Sequence, residues 1–478
     1  MTGNKATLPR EHIQRIREVM TNSLRLDNNP HLKSFGINVN REPIKLDAQM
    51  IHPAEVLFKN RAVCPMKSGS VQFAPLKNTQ FWKPATIGMV AVVDFDNMQL
   101  DLTSFCKNLH EKCSINGLKM TTQPTSWRHF NLHSNDTENL KSEMSNLKKQ
   151  NVTIIIGITK EKKPAVHDVL KYFEATLGLQ TLQIHVNTAT HFIKNTGTQT
   201  VENVIRKLNP KCGGVNFVVE PPQSVNRQPV CSNITDVKRR LFGKTQFIGF
   251  EMTHGSARTL FDQSQGTFDG EPTIVGCAYS LELATDLGGF NYLQEMNEYK
   301  LKNLEEKFGK CLKHYETAVG HLPETVVVFR TGAGEGDFKR VQDEIADMKK
   351  ALEGRKIQLV VLVVQKTSHT RIFPENIEGT SALSQNVKSG TVVDGGITSF
   401  GRQEFILVSQ TGQIGTVKPI KYTVAANDPG WTKNELCHLT YFLAFGHQVS
   451  YQPPAVPHIL YAAENLAKRG RNNFLTHK

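Results

Sequence analysis

TQFIGFEMTHG (Thr245–Gly255) decides the architecture of this chain. Its apolar residues run almost without interruption, as in a strand covered on both faces rather than one turned half to water. PTIVGCAYSLEL (Pro272–Leu283) repeats the pattern, and a helical segment is expected near Glu295 to Ala318. TVVVFRTG (Thr325–Gly332), IQLVVLVVQK (Ile357–Lys366) and EFILVSQTG (Glu404–Gly412) supply further strands.

Upstream, IGMVAVVDF (Ile87–Phe95) leads into a helix-like stretch, and NVTIIIGITK (Asn151–Lys160) leads into HDVLKYFEATLG (His167–Gly178). Strand, helix, strand, helix predicts a parallel sheet covered by helices. In the later part, early strands, a helix, a fourth strand and then alternating elements fit a ribonuclease-H-like sheet, among several α/β folds. The fold class is therefore α/β with two packed domains. Before about Pro84 the chain reads as a linker, with a helical start (Glu11 to Leu24) and short extended pieces broken by Asn, Pro and Gly.

The chain has 478 residues, enough for about two or three domains. Hydrophobic residues make up 39% and charged residues 21%, so it should fold rather than stay disordered. Lys and Arg outnumber Asp and Glu by 57 to 44, giving +13, which favours a polyanionic partner. A basic enzyme unrelated to nucleic acid would show the same balance, so motifs must decide. The eight cysteines (Cys64, Cys106, Cys113, Cys212, Cys231, Cys277, Cys311, Cys437) lack zinc-site spacing and read as reduced thiols. Neither a signal-type leader nor a bilayer-length apolar run is present, so no membrane partner is expected.

RKLNPKCGGVN (Arg206–Asn216) places Lys207 and Lys211 four apart, on one helix face, with Gly213 and Gly214 free to turn the chain afterwards. An isolated lysine pair is more often a solvated face. A second pair shifts the balance: in KKPAVHDVLKYFEATLG (Lys162–Gly178), Pro164 suits a helix start, with His167 and Lys171 one turn apart near it. Helix N-termini favour phosphate, and two such pairs could hold a terminal phosphate, although His167 alone reads equally well as a surface residue.

NPKCGGVNF (Asn209–Phe217) followed by FIGFEMTHG (Phe247–Gly255) resembles the junction of the MID and PIWI domains of the Argonaute/Piwi family. LDNNPHLKSFGINVN (Leu26–Asn40) resembles that family's second linker. VFRTGAGEGDF (Val328–Phe338), TSHTRIF (Thr367–Phe373), SGTVVDGGIT (Ser389–Thr398), QTGQIGTVKPIKYTV (Gln410–Val424) and LTYFLAFGHQ (Leu439–Gln448) follow in the family's order. The resemblance covers nearly the whole chain, and AAENLAKRGRNN (Ala462–Asn473) resembles the nematode-type branch more than the slicing human type. It implies a linker over 1–85, a Rossmann-like MID domain over 86–244 and a ribonuclease-H-like PIWI domain over 245–478. Segments resembling the family's N-terminal and PAZ domains are missing from the sequence.

By the same resemblance, His167, Lys171, Lys207 and Lys211 are expected to bind the 5′ phosphate of a small guide RNA. Gln183 is a further candidate, because the family's Thr-Gln pair is here split as Thr181-Leu182-Gln183. Lys366, Arg371, Lys418 and Lys421 lie in blocks resembling the guide-backbone channel and are expected to contact RNA phosphates, each alone being more often a plain surface cation. Guide RNA, complementary target RNA and silencing effector proteins are the implied partners.

Cleavage by this fold needs two divalent cations held by several carboxylates. The four positions that resemble the family's metal ligands are Glu251, Glu298 (with Glu295 as alternative), Thr331 and Glu464, with His458 requiring a register shift. Threonine cannot bridge metals, and glutamate for aspartate adds a methylene. The expectation is a protein that holds a guide without cutting, with no metal at these positions and Mg²⁺ only at the guide 5′ end or if cleavage persists. The alternatives are an active Mg²⁺-dependent endoribonuclease and a truncated protein that loads no RNA. His254, His369 and His447 are expected to be structural. Cytoplasmic residence is expected, with the nucleus or RNA granules as alternatives.

Overall fold

A computed structural model of the protein describes residues 6–477 except 27–28, 41, 68–69, 74, 76–78, 129–136, 161–163, 223–237, 239 and 256–269. Cys231 lies outside the described residues. Helix α1 (Pro9–Glu18) starts on a proline at its first turn, and α2 (Pro30–Ser34) is capped by the Asn29 side chain. Strand β1 (Gln49–Met50) pairs with the edge of the large sheet described below, whereas β2 (Glu55–Phe58) and β3 (Ala62–Val63) form a small antiparallel sheet.

The first domain opens with β4 (Thr86–Ile87), β5 (Met89–Asp94), helix α3 (Leu102–Ile115), β6 (Lys119–Met120), β7 (Thr125–Arg128) and helix α4 (Thr137–Lys149). It continues with β8 (Val152–Thr159), α5 (Pro164–Leu177), β9 (Gln180–His185), α6 (Val186–Ile193) and α7 (Thr198–Lys211). The order β7-β5-β8-β9 is parallel throughout, and β10 (Val218–Glu220) returns to pair with β2. Parallel strands need helical crossovers, which is why the two apolar runs of this region are each followed by a helix. This is a Rossmann-like arrangement.

The second domain is built on β11 (Thr245–Thr253), β12 (Thr273–Ser280) and β13 (Leu287–Gln294), antiparallel to one another. Helix α8 (Leu304–Val319) then returns the chain to β14 (Thr325–Thr331), parallel to β11. Helix α9 (Phe338–Leu352) leads on to β15 (Gln358–Gln365), parallel to β14. Strands β16 (Thr391–Val393), β17 (Glu404–Val408) and β18 (Ile420–Asn427) extend the sheet towards β1, giving the order β1-β16-β17-β18-β15-β14-β11-β12-β13. Helix α10 (Ala382–Gln385) precedes β16, and α11 (Lys433–Ala444) and α12 (His458–His477) complete the domain. A five-strand mixed core with this order is ribonuclease-H-like.

Period-two alternation explains the continuous apolar runs. Ile248, Phe250, Val326 and Val328 pack with Phe308 and Ile345 of α8 and α9, while Phe247, Val327 and Phe329 pack on the opposite face with Ile459 and Ala463 of α12. Helix α12 lies close on β12 because Gly276 is bare: a Cβ there would run into the backbone of Ala463 and Ala467. The helix expected from Glu295 starts only at Leu304. Asn297 and Asn303 have φ of 56° and 55°, a left-handed backbone that an α-helix cannot contain, so Glu298 sits in a loop.

Candidate nucleic-acid interface

The end of α7 is fixed by two buried asparagines. Asn209 accepts from the Ala85 amide through Oδ1 (2.7 Å) and donates to Oδ1 of Asn216 (2.9 Å). Asn216 donates to the carbonyl oxygens of Arg206 and Gln448 (2.8 Å each), and the Gln448 side chain accepts from the Asn216 amide at 2.6 Å. Gly213, at φ +83°, makes the turn between them. The NPKCGGVN and GHQ blocks thus stitch the last turn of α7 to the second domain, which holds Lys207 and Lys211 at the boundary between the two.

Lys207 is exposed and Lys211 is partly buried. Facing them across the boundary is Arg469 of α12, whose guanidinium donates to Oε1 of Glu174 at 3.1 Å, while the Lys211 ammonium approaches the same oxygen at 3.4 Å. Sequence reasoning did not single out Arg469, because nothing local marks a cation on α12 as a neighbour of α7. Helix α12 reaches α5 as well: Asn472 donates to Asp168 (3.0 Å), and the Tyr172 and His477 rings stack. His167, half-exposed on the same helix, lies 3.2 Å from Asp168 through Nδ1.

Lys171 differs from its expected role as an open phosphate ligand. It is 6% exposed, and its ammonium donates to Oε2 of Glu174 (2.5 Å) and to the carbonyl and hydroxyl oxygens of Thr181 (2.8 Å each). Three donors meet three acceptors, so none is left for a ligand. Burial, and then Lys211, push this ammonium down to about 7, against the upward pull of Glu174. Gln183 lies on the same face of β9 as Thr181 but donates to Thr159 (3.1 Å) rather than to a member of the cluster.

The positions resembling metal ligands do not make a metal cage. Glu251 and Thr331 share the sheet face that α12 covers, and Glu464 of α12 comes to the same place. Between the two carboxylates stands Lys366, with its ammonium 2.6 Å from Glu251 and 3.0 Å from Glu464. Burial pushes the Lys366 ammonium down, but the two carboxylates outweigh it and raise it, so the position holds a fixed positive charge. The Thr331 hydroxyl donates to the carbonyl of Phe250 (3.0 Å). Glu298 turns to the Lys300 amide (2.8 Å) and the Lys302 ammonium (2.9 Å). Among the described residues no three His, Cys, Asp or Glu side chains are arranged to hold a metal ion. A two-metal centre does not fit this set, since Lys366 already occupies one oxygen of each of two of its acids and Thr331 offers only a neutral hydroxyl.

Lys366 is therefore held between Glu251 and Glu464 rather than presented to an RNA backbone. Lys421 is withdrawn too: it is 8% exposed and paired with Glu335 (2.6 Å) and Glu404 (3.1 Å). Arg371 is half-buried and donates to the carbonyls of Ser368 (2.9 Å) and Thr370 (2.8 Å). Of the four channel candidates, Lys418 is exposed, on the rim of a groove it shares with Lys366, Glu464 and Tyr461. His458 is buried and bonded to the carbonyls of Leu443 and Ala284. His254 contacts the Thr273 hydroxyl (2.9 Å), and burial, aided by His458, pushes His447 down to about 4. No described helix is long and apolar enough to cross a membrane.

A Rossmann-like domain and a ribonuclease-H-like domain meeting at a basic cluster define the two-domain lobe of the Argonaute type. A family model described as the Piwi domain matches residues 153–475, and the chain belongs to the Argonaute/Piwi family. It is 45% identical to the Nuclear RNAi defective-3 protein of Caenorhabditis elegans, over 100% of this chain and 46% of that protein. Its fold is similar to Kluyveromyces polysporus Argonaute with a guide RNA (TM-score 0.78, 19% identity, 99% of this chain and 57% of that one). The C-terminal lobe of a budding yeast Argonaute is also similar (TM-score 0.73, 20% identity, 90% and 89%). The chain spans less than half the length of the nematode relative it matches.

Proposed function

We propose that this chain holds the 5′ phosphate of a small guide RNA and acts in RNA-guided silencing without cutting the target. The observation that carries the first part is the meeting of Lys211 from the first domain and Arg469 from the second at one point, with exposed Lys207 one turn away. A terminal phosphate carries more charge than an internal one, so a cluster of several cations prefers the end of a strand to its middle. The guide RNA in the yeast structure and the RNAi function in the nematode relative's name support the same reading. That name also favours nuclear residence for at least part of the protein's working life.

Absence of cutting is supported by Lys366, whose ammonium takes up carboxylate oxygens of Glu251 and Glu464 that metals would need, yet activates no water. Sequence readout is then left to pairing between guide and target, and silencing to effector proteins that the complex recruits. The test is binding of one RNA sequence with a 5′ phosphate and with a 5′ hydroxyl. The phosphorylated form should bind more tightly, and the double substitution Lys207→Ala, Lys211→Ala should abolish the difference. Equal binding by the wild type would sink the first part of the reading. A single guide-directed cut in a complementary RNA with Mg²⁺ would sink the second.

A further inference from the structure

A carboxylate at the centre of an anion-binding cluster looks misplaced, yet Glu174 is more deeply buried than the outer cations around it. Its side chain is 7% exposed, as is that of Lys171, against 22% for Lys211 and 36% for Arg469. The two oxygens divide the work. Oε2 faces inward and accepts from Lys171 (2.5 Å) and the Thr181 hydroxyl (2.7 Å). Oε1 faces outward and draws Lys211 (3.4 Å) from α7 and Arg469 (3.1 Å) from α12.

We infer that Glu174 is a positioning residue of the guide-end site: a fixed internal anion that assembles cations from both domains before a phosphate arrives. The inference rests on the guide-end reading above. Without an anion among them, Lys171, Lys211 and Arg469 would repel one another, and the long side chains of Lys211 and Arg469 would swing into solvent. With Glu174 present, each keeps donors directed outward, since Arg has five and Lys three and each spends one on Oε1. Lys171 has no such surplus, so it acts through Glu174 by fixing the carboxylate from behind.

Glu174 is placed to organise a phosphate site rather than to compete for it. A competitor would sit at the mouth, where an incoming phosphate could displace it; this carboxylate lies behind the cations, anchored by Lys171 and Thr181. The same three helices also carry Lys207 (α7), His167 and Asp168 (α5) and Arg471 (α12). Asp168 and Arg471 have partners of their own in Asn472 and Glu271.

The deciding measurement is the ratio of affinities for 5′-phosphorylated and 5′-hydroxyl RNA of one sequence, in wild type, Glu174→Gln and Glu174→Asp. Glutamine keeps the shape and removes the charge. We expect the phosphate preference to fall by about tenfold or more in E174Q, with hydroxyl-RNA binding unchanged, a pattern that loss of general structure would not give. Aspartate keeps the charge but cannot reach Lys171 and Arg469 together, so E174D should keep only part of the preference. Undiminished or increased preference in E174Q would overturn the inference and leave the guide-end reading standing. Should circular dichroism show E174Q unfolded, E174D decides, and wild-type preference in it overturns the inference. No preference in the wild type would overturn both.

Discussion

The ammonium of Lys366, at the end of β15, lies 2.6 Å from a carboxylate oxygen of Glu251 on β11. Strands β11 and β15 flank β14, so the contact spans the strand on which Thr331 stands and closes over it with Glu464. Replacing Lys366 by methionine keeps the stem but leaves Glu251, 9% exposed, without its counterion. K366M should lose about 1–3 kcal/mol in urea unfolding, the cost of an unpaired, largely buried charge. An unchanged midpoint and slope would show that the ion pair does not hold the centre together.

Thr331 leaves no room for a simple carboxylate replacement. It is 1% exposed and its hydroxyl satisfies the Phe250 carbonyl. Thr331→Asp would set a carboxylate against that carbonyl, acceptor against acceptor, in a place that Lys366 does not directly neutralise. T331D should be destabilised by about 3 kcal/mol or more and should produce no cut strand with guide, target and Mg²⁺. Cleavage by T331D alone would mean that Lys366 yields the centre to metal.

The frame of the protein is legible because its two main sheets are buried on both faces, and the runs around Val90, Ile155, Phe247 and Val327 say so directly. The lysine pair before Gly213 was legible for the same local reason, one helix turn and a glycine stop. What decided the site was not local. Lys171 and Lys207 look alike in sequence, yet one is enclosed by Glu174 and by Thr181 of β9 while the other is exposed. Lys366 and Lys421 read in sequence as RNA-facing cations, and only the folded sheet shows that carboxylates from distant segments already hold them. Glu298 reads as helical in sequence, and two left-handed asparagines put it in a loop.

Acid should act on Glu174 in a definite direction. Burial pushes its carboxyl up, but Lys211, Lys171 and Arg469 together outweigh burial and bring it down to about 2, below the ordinary 4.5. The folded state therefore binds fewer protons than the unfolded one between these values, and the contribution is present above about 4.5 and lost as pH falls towards 2. Between pH 5 and 3.5 the wild type should lose about 1 kcal/mol more than E174Q, since other groups titrate alike in both. Parallel losses in the two proteins would show that Glu174 titrates normally.

Two arginines two residues apart on α12 separate the roles that a charged helix can play at this boundary. Arg471 donates through Nε (2.9 Å) and NH2 (3.3 Å) to the buried carboxylate of Glu271, within its own domain. Arg469 crosses to Glu174 in the other domain and is 36% exposed at its side chain, so part of its guanidinium stays open to a ligand. Arg469→Ala should lower the preference for 5′-phosphorylated over 5′-hydroxyl RNA by about tenfold or more, the worth of one charge-assisted hydrogen bond, with a small change in stability. Arg471→Ala should do the reverse, lowering the unfolding midpoint because Glu271 is left unpaired while the phosphate preference stays near wild type. Equal loss of preference in both variants would mean that α12 contributes only its overall charge, and the cross-domain geometry at Glu174 would no longer explain the site.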